Sequence, residues 1–389
     1  MKKLFLISGG RNGSIFFQSI LDGHPQILQF PGIFKLDNFL RNLNSSYTTN
    51  SFLDLFVTQF SWFFDSRKKP LYGMDRLGDS QDEFFCVSVD TFKQAFKDLC
   101  TQSNQVSMQA MITNLHVAYH IARVGEYPQE AKFNLIHIHN VKRLKYVLNI
   151  IPELDFFSIF MDRDILPSLS SELDGWHNYD IHSDRPKLSK CRYVSAVNRK
   201  ILEPYRLRSI DPYSITIKLE DLHRSHKALL TNFCSKIGIS YHQSLSMSTF
   251  NSLKWWGDSV SKKPVNGFNP NFTNKFNSSS FYNWEISLLL KATALRARAY
   301  GYSSLSKSKF IKYAFLLPGK LEVDAWKSIF SSIIYGPFAE KKSAISQIKS
   351  YFTSPNQFRL KIEIIKNFNP KLPLPKLFSL ATPPDTSAN

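Results

Sequence analysis

The chain has 389 residues, of which 43% are hydrophobic and 14% aromatic, and a formal net charge of +18. That length suits one large α/β domain, or a domain with a smaller appendage, and the apolar content is enough for a sizeable core. The charge favours anionic partners such as a nucleotide, an acidic glycan, nucleic acid or a membrane surface, but the basic residues are spread along the chain and form no nucleic-acid arm.

Leu4, Phe5, Leu6 and Ile7 read as a short buried strand. Ser8, Gly9 and Gly10 break it, Arg11, Asn12, Gly13 and Ser14 follow, and Ile15, Phe16, Ser19 and Ile20 resume with helical spacing. Strand, glycine-rich turn and helix together aim backbone N–H groups and a helix dipole at one point, which suits a phosphate or a sulfate. Arg11 adds a permanent cation and Ser14 a hydroxyl donor. No Gly-Lys-Ser/Thr follows the turn and the three-glycine dinucleotide spacing is absent, so this is neither of those two nucleotide loops. MKKLFLI imitates the start of a signal peptide, but its apolar run is too short and it reads as a strand.

Residues 26–34 are strand-like up to Pro31-Gly32. Residues 34–66 carry Phe-rich helical patterns, 70–104 are irregular, and 105–124 form a helix, so 34–130 is a helical insertion. Alternation then begins: strand 132–140, helix 141–151 stopped by Pro152, strand 155–161, helix 163–173, polar loop 174–188, helix 190–206, strand 212–219 and helix 222–237 ended by Gly238. Such alternation means a parallel sheet with helices on both faces, whose ligands sit beyond the carboxyl ends of the strands. Residues 251–280 read as a long loop, 283–302 as a helix, and 306–389 as a C-terminal helical extension with a disordered Pro-rich end, which leaves 1–305 as the main domain.

The cysteines Cys86, Cys100, Cys191 and Cys234 have no CxxC spacing, which speaks against a zinc site or a disulfide scaffold. No apolar stretch approaches a membrane span. A metal-free cytoplasmic protein without integral membrane association is the expectation.

Several stretches, in order, resemble the sulfotransferases. Gly9–Ser14 is similar to that family's 5′-phosphosulfate loop, with Asn12 where Ser is usual, and His24-Pro25 is similar to the pair that closes its following helix. His137-Ile138-His139 falls where many members carry K-T-P or K-T-H. Met161, Asp162, Arg163, Asp164 and Ser168-Leu169 resemble R-D-P-R-D-x-x-x-S-L with one deletion, the first Arg replaced by Met161 and the Pro missing. Glu220-Asp221-Leu222 resembles the late E-D-L, whose carboxylates would cap a helix, and Lys262, Lys263 and Gly267 loosely resemble the basic loop that closes the donor site.

The resemblance implies a P-loop-type α/β fold and transfer of a sulfuryl group from 3′-phosphoadenosine 5′-phosphosulfate (PAPS) to an acceptor hydroxyl on a glycan, lipid-linked sugar or small alcohol. Gly10, Arg11, Asn12, Gly13, Ser14 and Ile15 would hold the phosphosulfate, with Arg11 also stabilising charge on the leaving phosphate. Arg163 and Ser168 would hold the 3′-phosphate, and Lys262 and Lys263 would close the site. His139 would be the base, with Asp37 as runner-up. His137 stands where a Lys is expected, so that cation is missing or is replaced by an imidazolium. Trp255 or Trp256 could stack on a base or sugar, against a role as core tryptophans. Trp176, His177 and Tyr179 would line the acceptor. A non-catalytic nucleotide- or anionic-glycan-binding relative and a P-loop kinase-like enzyme remain the alternatives.

Overall fold

The computed structural model describes the chain except residues 44–45, 69–75, 102–106, 182–192, 258–263, 265–266, 273–275, 303–315, 318–319, 339–340, 343, 346–355, 367–373, 375 and 379–389; of 174–181, 193, 321–322, 324–325, 328–329, 332 and 356–359 it describes the backbone alone. Six strands form one parallel sheet in the order β2-β3-β1-β4-β5-β8. They are β1 (Lys2–Ser8), β2 (Ile27–Gln29), β3 (Phe133–Ile138), β4 (Phe156–Asp162), β5 (Ile215–Lys218) and β8 (Lys376–Leu377). A separate two-stranded hairpin pairs β6 (Thr249–Phe250) with β7 (Leu253–Lys254).

β1 is the central strand because nothing in it must face water. Leu4, Phe5, Leu6 and Ile7 are fully buried, as expected of a parallel strand covered by helices on both faces. Its register with β3 pairs Ile7 with Ile138, and its register with β4 pairs Ser8 with Met161. The strand ends are therefore level, and the turns after β1, β3 and β4 emerge side by side. The chain leaves β1 toward β2 on one side and leaves β4 toward β5 on the other. This reversal opens a crevice at the carboxyl ends of β1 and β4, the place where open α/β sheets take ligands.

The insertion is built from α2 (Leu36–Asn42), α3 (Thr49–Gln59), α4 (Ser61–Phe64), α5 (Val89–Thr101) and α6 (Met108–Val124). Its phenylalanines are core: Phe30 stacks on Phe63 at 4.9 Å, Phe60 on Phe63 at 5.2 Å, and Phe56 on Phe92 at 5.6 Å. Helix α5 lies in the stretch expected to be irregular. Its apolar Val89, Phe92, Phe96 and Leu99 recur at helical spacing, and Phe92 and Phe96 are buried.

Four further boundaries differ from expectation. Helix α8 (Ile165–Ile181) runs through the first half of the expected polar loop, because one interior Gly175 costs too little to stop it. The next helix, α9 (Tyr193–Ile210), runs past residue 206 and tolerates Pro204. The expected helix 222–237 is two, α10 (Leu219–Arg224) and α11 (His226–Ile237), broken at Ser225. Likewise the expected helix 283–302 is α12 (Asn283–Ala292) and α13 (Ala294–Tyr300), with Thr293 spending its hydroxyl on the carbonyl of Leu289. Between β3 and β4 lies α7 (Val141–Ile150), and after β1 lies α1 (Ser14–Ile20). Beyond residue 306 come α14 (Lys320–Tyr335) and α15 (Asn356–Lys366), and then β8, which pairs with β5.

Candidate anion-binding site

The turn after β1 is wound tightly. Gly10, Arg11 and Gly13 all have positive φ, at 92°, 52° and 81°, and a Cβ on Gly13 would collide with Leu219. The turn is tied to its neighbours from inside. Asn12 is buried, and its amide donates to the Met161 carbonyl at 3.0 Å, stitching the loop to the end of β4. The Ser14 hydroxyl lies 3.1 Å from that of Ser8.

Three cations from distant parts of the chain hold three consecutive loop carbonyls. Arg199 Nε donates to Gly9 O at 3.5 Å, Lys200 Nζ to Gly10 O at 2.5 Å, and Arg163 Nη1 to Arg11 O at 3.5 Å. Arg11 itself donates to Ser171 Oγ at 3.3 Å. Ser168 sits under this layer, fully buried: its hydroxyl donates to Asn12 Oδ1 at 2.5 Å and accepts from Lys200 Nζ at 2.5 Å. Glu172, one turn further along α8, pairs with Arg199 at 2.6 Å and with Lys200 at 2.9 Å. Burial pushes the Lys200 ammonium down to about 8, opposed by Glu172 and helped by Arg199 and Arg163. The Glu172 carboxyl is held below its ordinary value because Lys200 and Arg199 outweigh the cost of its burial. Arg11, Arg163, Arg199 and Lys200 thus meet at a positive-φ turn, with Glu172 paired to two of them and Glu220 and Asp164 acting on Arg163, and a turn so lined with cations suits a polyanion.

The two strand histidines have different environments. His137 is buried, and its Nδ1 lies 2.8 Å from Gln18 Oε1. The Gln18 amide nitrogen already donates to the carbonyls of Phe30 and Gly32, so its Oε1 must accept and His137 Nδ1 carries the proton. Burial holds His137 well below its ordinary pKa. Burial thus disfavours the imidazolium at the position where the resembling sulfotransferase motif has Lys. His139 follows β3 directly, level with the turn after β1, with its ring centroid 5.4 Å from that of His137. His139 is exposed, and its pKa is lowered by the protein packed around it, with Arg143, Arg199 and Lys35 pushing the same way and Glu172 opposing. Asp37, the alternative base, is buried and engaged by Arg143 at 3.3 Å.

At the end of β4, Asp162 is fully buried against Arg296 at 3.4 Å, and burial raises its carboxyl to about 6. Arg296 also donates to the Lys200 carbonyl, so this pair braces the segment that carries Lys200. Asp164 accepts from the Leu166 N–H at 3.2 Å and caps α8, while Arg163 reaches the loop and lies over Phe272 at 5.4 Å. Glu220 and Asp221 lie in the first turn of α10, not before it, so they do not cap that helix from outside; Glu220 instead accepts from the Asp164 N–H at 3.1 Å. Met161, at the end of β4, is fully buried.

The structure thus gathers Gly10 to Ile15, Arg163 and Ser168 at one crevice and sets His139 beside it. Lys262 and Lys263 lie outside the described residues, as do the side chains of Trp176, His177 and Tyr179. Trp255 is a core residue, edge-on to Phe250 at 5.7 Å, and Trp256 donates its indole N–H to Gly78 O at 2.6 Å while Lys254 covers its ring. Sequence reasoning missed Glu172, Arg199, Lys200 and Arg296. The available signal was Ser168, Ser171 and Glu172 at i, i+3 and i+4, a polar stripe on a helix leaving a strand end. Among the described residues no group of three or more His, Cys, Asp or Glu could hold a metal, and no helix is long and apolar enough to cross a membrane.

No family model matches the chain, and no curated protein matches it. Among solved structures it is similar to the sulfotransferase domain from the Synechococcus PCC 7002 olefin synthase, at 13% identity and TM-score 0.38, over 63% of this chain and 76% of that one. It is also similar to the sulfotransferase domain from the curacin biosynthetic pathway, at 16% identity and TM-score 0.39, over 78% of this chain and 99% of that one. A third likeness is to sulfotransferase STF9 from Mycobacterium avium, at 11% identity and TM-score 0.34, over 63% of this chain and 65% of that one.

Proposed function

We propose that this protein binds PAPS in the crevice between β1 and β4 and directs its sulfuryl group to an acceptor hydroxyl. The observation that carries the reading is the convergence of three separate stretches at one end of the sheet: the turn 9–14, Arg163 with Ser168, and His139. The residues present fit such a donor in charge, since Arg11, Arg163, Arg199 and Lys200 surround a glycine turn. They fit less well at the 3′-phosphate, where the apolar Met161 replaces a cation and Ser168 and Arg163 are left to serve.

When bound, PAPS supplies the sulfuryl group and, once it is transferred, leaves as the bisphosphate. Arg11, Lys200 and the turn hold the phosphate end and offset the charge that grows on it. His139 is neutral at pH 7 and can accept the hydroxyl proton. A polyanion bound beside Arg199 offsets the cations that depress His139, which raises its basicity when the site is filled. The acceptor is a hydroxyl compound, with a carbohydrate favoured.

One observation favours a second reading, a binding protein without turnover: the β3 position of the family's Lys holds a buried, neutral His137. Replacing His139 separates the two. His139→Ala should lower sulfuryl transfer by about 100-fold or more while bisphosphate affinity stays the same. Normal transfer by His139→Ala would refute the choice of base, and no transfer by the wild type with any hydroxyl acceptor would favour the second reading.

A further inference from the structure

The loop already has an anion beside it. The Glu172 carboxylate lies against the loop backbone, so close that a Cβ on Gly10 would sit 3.3 Å from its Oε2. Its side chain is 6% exposed, and its two oxygens are taken by Arg199 and Lys200, the same cations that hold the carbonyls of Gly9 and Gly10. A carboxylate gripped by an Arg and a Lys over a glycine turn presents the charge and the pair of oxygens that a phosphate would present there.

We propose that Glu172 is an internal competitor for the anion site: a tethered carboxylate that neutralises Arg199 and Lys200 in the empty protein and must give them up when a phosphate-bearing ligand binds. The inference rests on the reading of the loop as an anion site but not on the identity of the donor. Glu172 lies on α8 one turn beyond Ser168, so both cations are held by one side chain of that helix. It thereby sets the affinity of the site and keeps the buried Lys200 and the half-buried Arg199 paired when no ligand is present.

The test is calorimetric titration of the full chain and of Glu172→Gln with inorganic pyrophosphate and with adenosine 3′,5′-bisphosphate, alongside thermal melts. Glu172→Gln keeps the side-chain volume and an oxygen for Lys200 while removing the competing charge. The expected result is about tenfold tighter binding of pyrophosphate by Glu172→Gln, the scale of one ion-pair partner released. Equal or weaker binding at an unchanged melting temperature overturns the proposal and makes Glu172 a residue that positions the two cations. If Glu172→Gln does not melt cooperatively, Glu172→Asp replaces it. Shortened by one methylene, Glu172→Asp retracts the carboxylate and should bind pyrophosphate several-fold tighter, and unchanged or weaker binding overturns the proposal. Failure of every form to bind either ligand also overturns it. Tighter pyrophosphate binding with no bisphosphate binding leaves the competitor in place and refutes the PAPS reading instead.

Discussion

Lys200 turns the site's affinity into a function of pH. Its ammonium is fully buried, and burial lowers its pKa to about 8 against the opposing pull of Glu172 from α8, with Arg199 on its own helix and Arg163 from the β4–α8 turn adding to the fall. A bound polyanion adds negative charge within reach of Nζ and keeps the proton on in the complex. Binding then requires the protonated form, which makes up about nine tenths of the free protein at pH 7 and about one tenth at pH 9. Affinity for adenosine 3′,5′-bisphosphate should fall about tenfold between those values, in the direction of weaker binding at higher pH. The assay is calorimetric titration at pH 7, 8 and 9 at constant ionic strength, with Lys200→Met in parallel. Lys200→Met should bind more weakly at pH 7 and show no pH dependence over this range. A flat wild-type profile, or the same slope in Lys200→Met, would refute the reasoning.

Two further predictions concern stability. Gly13→Ala puts a Cβ where φ is 81° and where Leu219 already sits, so it should destabilise the fold by about 2 kcal/mol or more, read by chemical denaturation; a wild-type midpoint would contradict the turn geometry. Lys3 is fully buried on β1, bonded to Thr113, and burial lowers its pKa to about 8 although Asp155 opposes. Its folded pKa lies below its unfolded one, so the cost of burying the charge is present in full below about pH 8 and disappears as pH rises past the unfolded value. Lys3→Met should therefore raise stability at pH 7 by roughly 1–3 kcal/mol, and the gain should shrink by pH 10; a loss at pH 7 would mean that the Thr113 bond outweighs desolvation.

The parallel sheet was legible because each of its main strands announces itself locally. LFLI, FNLIHI, FFSIFM and ITIK are short apolar runs bounded by turn residues or helical patterns, and their alternation with helices admits few other topologies. The glycine turn was legible for the same reason, since strand, turn and helix lie within twenty residues. The residues that complete the site were not. Lys200 and Glu172 reach Gly10 across 190 and 162 positions of chain, and on their own helices they look like ordinary solvated charges. Only the level ends of β1 and β4 bring α8 over the turn. His137 and His139 stand two positions apart, but one lies inside β3 and the other one step beyond its end, and that step, which the sequence does not mark, separates a buried residue from an exposed one. Helix α5 was lost to a wrong reading of periodicity, because polar residues between Val89, Phe92, Phe96 and Leu99 masked an apolar stripe.

The central claim is that the crevice at the ends of β1 and β4 takes an adenosine carrying phosphates at both its 3′ and 5′ positions. Calorimetric titration of the wild-type chain with adenosine 3′,5′-bisphosphate, against ATP with magnesium, tests this directly. The account predicts saturable one-site binding of the bisphosphate without a metal, lost on Arg11→Ala, and weaker binding of ATP. Preference for ATP with magnesium, or no binding of the bisphosphate at all, would contradict it.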